Sequence, residues 1–218
     1  MPERRRLRAI KWRALGFGQY PQSRPSVLEC LGGLIVTDLI ALWYAEHAHF
    51  FSLLDLMEEQ VAAFHEGEQP DYRIMLDIVS YLRESPDRSH HPREDVIFAQ
   101  LAIRDPSMRI PIARLLQEHR VVAVSGEELR SRLEELIAGT VVPRANLEAT
   151  AAVYLTYYRH HLATEEKEVL PRAAKSLTPQ DWKLVANVLP PGPDPLFGAT
   201  PQERYRELRQ ILESRSRA

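Results

Sequence analysis

Apolar side chains recur at steps of three and four along almost the whole chain beyond residue 30, and this regularity restricts the fold more than any other feature. A first stripe runs Val36, Leu39, Trp43, His47, Phe50, Leu54, Met57, Val61 and Phe64, and Gly67 and Pro70 end it. A second runs Tyr72, Met75, Val79, Leu82, then past Pro86 to His90, Glu94, Ile97 and Leu101. After the Asp105-Pro106 stop comes a third: Ile112, Leu115, His119, Val122, Gly126, Leu129, Leu133 and Leu136, closed by Gly139. The fourth, the most regular, has Leu147, Ala151, Tyr154, Tyr158, His161, Glu165 and Glu168. A period of 3.6 residues brings positions three and four apart onto one side, so each stripe is one face of an amphipathic helix. No strand pattern competes.

Four long amphipathic helices with short connections predict an all-α fold, an up-down-up-down antiparallel four-helix bundle. The second helix must be kinked or broken near its histidines, because Pro86 and Pro92 each remove a backbone donor. The 218 residues suit one main domain. Residues 31–188 form the bundle, ending in a short helix over 178–188 capped by Thr178. Residues 189–218 add a Pro-rich hinge, Pro190 to Pro195, and a last amphipathic helix from about Pro201 to Leu212 packed on the bundle. Residues 1–30 read as a basic, loose arm, Arg-rich from Arg4 to Arg13.

The apolar run from Leu34 to Ala45 contains Asp38 and falls short of the ~20 residues a membrane span needs, so it reads as a buried helix. With 28 basic and 30 acidic side chains the net charge is −2, which gives no footprint for a nucleic-acid backbone. Cys30 is the single cysteine, as expected of a cytoplasmic chain in a reducing compartment. No Gly-rich phosphate loop and no Gly-x-Ser-x-Gly elbow occurs.

All four stripes carry metal-competent side chains where a core otherwise takes Leu or Ile. Burying unpaired imidazoles and carboxylates costs several kcal/mol each, and six of them would cancel much of a domain's roughly 5–15 kcal/mol stability. A bound metal removes the conflict. His90 with Glu94 and His161 with Glu165 are each four residues apart, so each pair shares a face. His47 and His119 add one imidazole from each remaining helix. Four imidazoles and two carboxylates suit a pair of iron-like ions bridged by the carboxylates.

Register decides among neighbours. His47 lies on the first stripe and His49 off it. His90 has Glu94 one turn on, whereas His91 would pair with Asp95. Of His160 and His161 only His161 has a carboxylate four residues later, with Glu166 in reserve. His49, His65, His91 and His160 are expected at the surface or behind the site. Taken singly, each His reads as a hydrogen-bonded core residue, Glu94 and Glu165 as solvated charges paired with Arg93 or Lys167, and Tyr158 as core packing whose hydroxyl is within reach of the metals.

The chain resembles the hemerythrin-like, or HHE cation-binding, bacterial proteins over about Asp38 to Gly198. The resemblance rests on Glu46-His47, His90-His91-Pro92-Arg93-Glu94-Asp95, Gln117-Glu118-His119, the run His161 to Pro171, and a tail with Asp181-Trp182 and Asp194-Pro195-Leu196-Phe197-Gly198. It implies a non-haem di-iron centre, two iron ions (Fe2+/Fe3+) with a bridging oxo or hydroxo group, binding dioxygen, nitric oxide or peroxide for sensing, storage or stress response. His and carboxylate donors also accept zinc or manganese in a preparation. True hemerythrins carry two His a turn apart in the third helix, whereas here Ala123 stands four after His119. One iron is therefore expected to lack a nitrogen ligand, with water, Glu118 or Tyr158 filling the position or leaving it open. The fourth-helix carboxylate, a Glu four residues after its His rather than an Asp five after, likewise departs from a reversible oxygen carrier. Two other classes fit the same residues: an enzyme turning over peroxide or nitric oxide with Tyr158 as redox partner, and a metal-stabilised interaction module. A homodimer is compatible with all three.

Overall fold

In a computed structural model, residues 34–188 and 193–217 are described. The basic arm of residues 1–30 with Cys30, the start of the Pro-rich hinge at 189–192, and the side chains of Val36, Phe64 and His65 lie outside the described residues. Among the described residues every regular element is helical. Helix α1 spans Leu34–Glu66, α2 Tyr72–Ser89, α3 His91–Arg104, α4 Arg109–Ile137, α5 Arg144–Thr164, α6 Leu170–Ser176, α7 Pro179–Asn187 and α8 Arg206–Arg217. Helix α1 packs against α2 and α5, and α4 packs against the same two, so the four long helices meet around a shared interior. Among the described residues no helix is long and apolar enough to cross a membrane.

Local sequence accounts for where these helices stop. Gly67 and Gly139 adopt φ of +78° and +88°, a conformation costly for any residue with a Cβ. Each lets the chain close its helix with a six-residue bond, Glu68 N–H to the Ala63 carbonyl and Thr140 N–H to the Glu135 carbonyl. Asp71 caps α2 by accepting from the Arg73 and Ile74 amides. Thr178 and Asp181 form a reciprocal capping box at the start of α7, whose carboxylate also receives Arg104.

The expected break in the second helix falls at His90, between α2 and α3, with Pro86 inside α2 and Pro92 in the first turn of α3. The fourth helix departs from its expected regularity: Glu165–Val169 form a π-helical turn between α5 and α6. Periodicity hides such a turn, because one extra residue shifts only the register that follows it.

Two apolar clusters fill the interior. One gathers Phe50, Leu54, Ile78, Leu82, Leu129 and Tyr158 with neighbours; the other gathers Trp43, Ile97, Leu101, Leu115, Val169 and Trp182 with neighbours. His47 lies in sequence between Trp43 and Phe50, Glu94 before Ile97, His119 between Leu115 and Val122, and His161 with Glu165 between Tyr158 and Val169. The polar positions of all the stripes therefore fall at one level, between the two clusters. The tail also engages this body: Asp194 accepts the Tyr81 hydroxyl at 2.7 Å, Phe197 stacks on His49, and Leu208 of α8 is fully buried.

Candidate metal centre

The break at His90 and the π turn at Glu165 bring six side chains from α1, the α2–α3 junction, α3, α4, α5 and the π turn to the level between the two cores. His47, His90, Glu94 and Glu165 form one group whose ligand atoms lie within 4.8 Å of one another; Glu94, His119, His161 and Glu165 form a second. The groups share both carboxylates. All six residues are buried except His119, whose side chain is 17% exposed.

The imidazole orientations carry further information. His90 directs Nδ1 at Glu46, 2.7 Å away, and His47 directs Nδ1 at Glu166, 3.2 Å away. A neutral imidazole that donates from Nδ1 presents a lone pair at Nε2. The two Nε2 atoms face each other at 3.2 Å. Two lone pairs at that separation repel unless a proton or a cation stands between them. His161 Nε2 lies 3.2 Å from Glu165 and His119 Nε2 lies 3.4 Å from Glu94, yet neither contact has hydrogen-bond geometry. Glu165 Oε1 and Oε2, Glu94 Oε2, His119 Nε2 and both nitrogens of His161 are buried with no hydrogen-bond partner. Orphaned polar atoms cost about 1–3 kcal/mol each. Their concentration at one point is the imbalance that a cation corrects, and the mixed imidazole and carboxylate set fits iron-like ions.

Electrostatics follow from the same packing. Burial pushes the imidazole of His47 down, but the carboxylates of Glu165, Glu166 and Glu94 around it outweigh burial and hold its pKa well above the ordinary value. Burial likewise pushes His161 down, but the Glu165 and Glu118 carboxylates override it and raise its pKa to about 10. Burial pushes Glu94 up, yet His90, His119 and His47 together hold it well below the usual carboxylate range. Without a metal, the raised pKa values of His47, His90 and His161 favour protons on these imidazoles beside the two carboxylates.

A family model for the hemerythrin HHE cation binding domain matches residues 38–173. The chain belongs to this family. Comparison with curated proteins and with solved structures gave no match. The hemerythrin HHE assignment and the His/Glu clusters together indicate a metal-binding protein.

Several side chains of this HHE domain take places that the stripes did not reveal. Glu118 sits behind His161, 3.5 Å from Nδ1, and 3.1 Å from Nδ1 of His160, so it does not face the space beside His119. Glu166, too, backs a ring, with His47 as its partner. His91 pairs with Asp87 at 2.8 Å rather than with Asp95, and its ring packs on that of His119 at 4.5 Å between centroids. Arg93 is bound to Glu46, at 2.7 and 2.9 Å, instead of to Glu94. Trp43, an apolar stripe member by sequence, donates its indole N–H to Glu94 Oε1 at 3.2 Å. Two imidazoles stand with each group, so the donor sets are equal in number.

Tyr158 is explained by Pro86. A proline at position 86 has no N–H for the carbonyl of Leu82, four residues earlier. The buried Tyr158 hydroxyl donates to that carbonyl at 3.4 Å. Burial first, then the nearby Tyr154 and Glu94, hold its phenol well above the ordinary pKa, which keeps it protonated for this role.

Proposed function

We propose that this chain is a non-haem di-iron protein of the HHE class that binds dioxygen, nitric oxide or peroxide in the cytoplasm, for sensing, storage or stress response. The supporting observation is the pair of four-donor groups that share Glu94 and Glu165 and contain most of the site's unpartnered buried atoms. In this reading an up-down-up-down antiparallel bundle carries the site. His47 and His90 would hold one ion and His119 and His161 the other, with Glu94 and Glu165 available to both. A bound iron pair supplies a redox-active, Lewis-acidic centre with room for a small ligand. The protein's own part is to fix the imidazoles through Glu46, Glu166 and Glu118, to hold Glu94 with the Trp43 indole, and to exclude bulk water with the two apolar clusters.

Tyr158 favours ligand binding over turnover, because its hydroxyl is occupied at the Leu82 carbonyl and does not point to the shared carboxylates as a redox partner would. The deciding experiment measures metal content and the ultraviolet-visible spectrum of protein grown with iron, before and after reduction and re-exposure to air. Two irons per chain, with near-ultraviolet absorption that responds to reduction, are expected. Absence of iron, or iron retained after His119→Ala and Glu165→Ala together, would overturn the proposal.

A further inference from the structure

The two halves of the site have equal donors but unequal support. Behind His90 stands Glu46, itself pinned by the buried Arg93, whose Nε donates to the Ser89 carbonyl at 2.6 Å. Glu166 stands behind His47, and both rings are at most 2% exposed. Across the shared carboxylates, His161 has only the loose 3.5 Å approach of Glu118, which also serves the exposed His160. His119 has no carboxylate behind it at all among the described residues; its ring is flanked by His91, Phe98 and His161, and it is the one cluster member that reaches solvent. Outer partners of this kind fix ring orientation and raise ligand basicity, and each is worth about 10–100-fold in metal affinity.

We infer that the two metal positions are inequivalent: the His47/His90 position binds tightly and fills first, and the His119/His161 position is the weaker, exchangeable one that opens to solvent at His119. The inference rests on the dinuclear reading above. Two ions sharing carboxylates repel each other, so stepwise filling would appear even with equal positions. What the inference adds is which position fills first, and mirrored variants read that directly.

The test is anaerobic titration of the metal-free full chain with Fe2+, followed by calorimetry and by equilibrium dialysis of bound metal. Wild type should bind two ions in separated steps. His119→Ala should lose the weaker step and keep the tighter one within about threefold, while His47→Ala should lose the tighter step. Glu46→Gln, which keeps the side chain's size and removes its charge, should weaken the tighter step roughly 10–100-fold and leave the weaker one little changed. Two bound ions with matching titrations for His119→Ala and His47→Ala would overturn the inequivalence and leave the dinuclear reading standing. An unaltered titration for Glu46→Gln would overturn it as well. Fewer than two ions on wild type would overturn both.

Discussion

His90-x-x-x-Glu94 and His161-x-x-x-Glu165 have the same spacing, yet the chain delivers them by different backbone devices. In the first pair the irregularity falls on the histidine: α2 ends, His90 takes φ −94° and ψ −63°, and α3 restarts with Pro92 in its first turn. In the second it falls on the carboxylate, since His161 lies inside α5 and Glu165 opens the π turn. Each departure has a proline and a tyrosine. Pro86 leaves the Leu82 carbonyl without its helical donor and Tyr158 supplies one; Pro171 cannot extend the π ladder to the Glu166 carbonyl, and the Tyr44 hydroxyl donates there at 3.4 Å. The outcomes differ. Glu94 is anchored by Trp43 and His90, whereas both oxygens of Glu165 lack a hydrogen-bond partner. One repeated spacing thus yields an anchored carboxylate and a free one.

The largest expected effect concerns what the two pairs share. Glu94→Ala and Glu165→Ala should each weaken binding of both ions by more than about 100-fold, beyond what loss of an outer partner costs, as read from metal content after dialysis. Retention of one ion by either variant would show that the carboxylates are not shared.

Next comes pH. The folded pKa of His161, about 10, lies above the ~6.5 of an unfolded histidine. Its contribution to stability is therefore fully present below pH 6.5 and is lost as pH rises toward 10, and His47 and His90 are shifted the same way. The melting temperature of the metal-free chain should fall across that window, and His161→Ala should flatten the fall. Metal binding displaces those protons, so apparent affinity should rise with pH over the same interval. A metal-free chain that grows more stable between pH 6.5 and 10 would contradict protonated imidazoles in the cluster.

Smaller effects separate the two proline sites. Tyr158→Phe should cost about 1 kcal/mol in chemical denaturation by orphaning the buried Leu82 carbonyl. In a Pro86→Ala background the backbone N–H returns, and the cost of Tyr158→Phe should largely vanish; an unchanged cost would break the link between proline and tyrosine. Tyr44→Phe should cost less than about 0.5 kcal/mol, because Tyr44 is partly exposed and water can replace it.

Periodicity and chemistry made much of this molecule legible from residues alone. The 3.6-residue period placed His47, Glu94, His119 and His161 on interior faces because burial selects for face, and the i, i+4 rule singled out His90 and His161 from their neighbours. Glycine and capping signals marked helix ends because they act over a few residues. The sequence could not show the π turn, the roles of Glu46, Glu118 and Glu166 behind the rings, or the indole of Trp43 on Glu94. The contacts behind the rings and at the indole depend on distances between residues 43 to 119 positions apart in the chain, set by how helices rotate against one another. Sequence alone thus determined which side chains face inward, since that follows from local geometry and hydrophobicity. Only tertiary packing decided how the six donors divide into two groups and which group is better supported, because that division depends on the side chains that neighbouring helices place behind each ring.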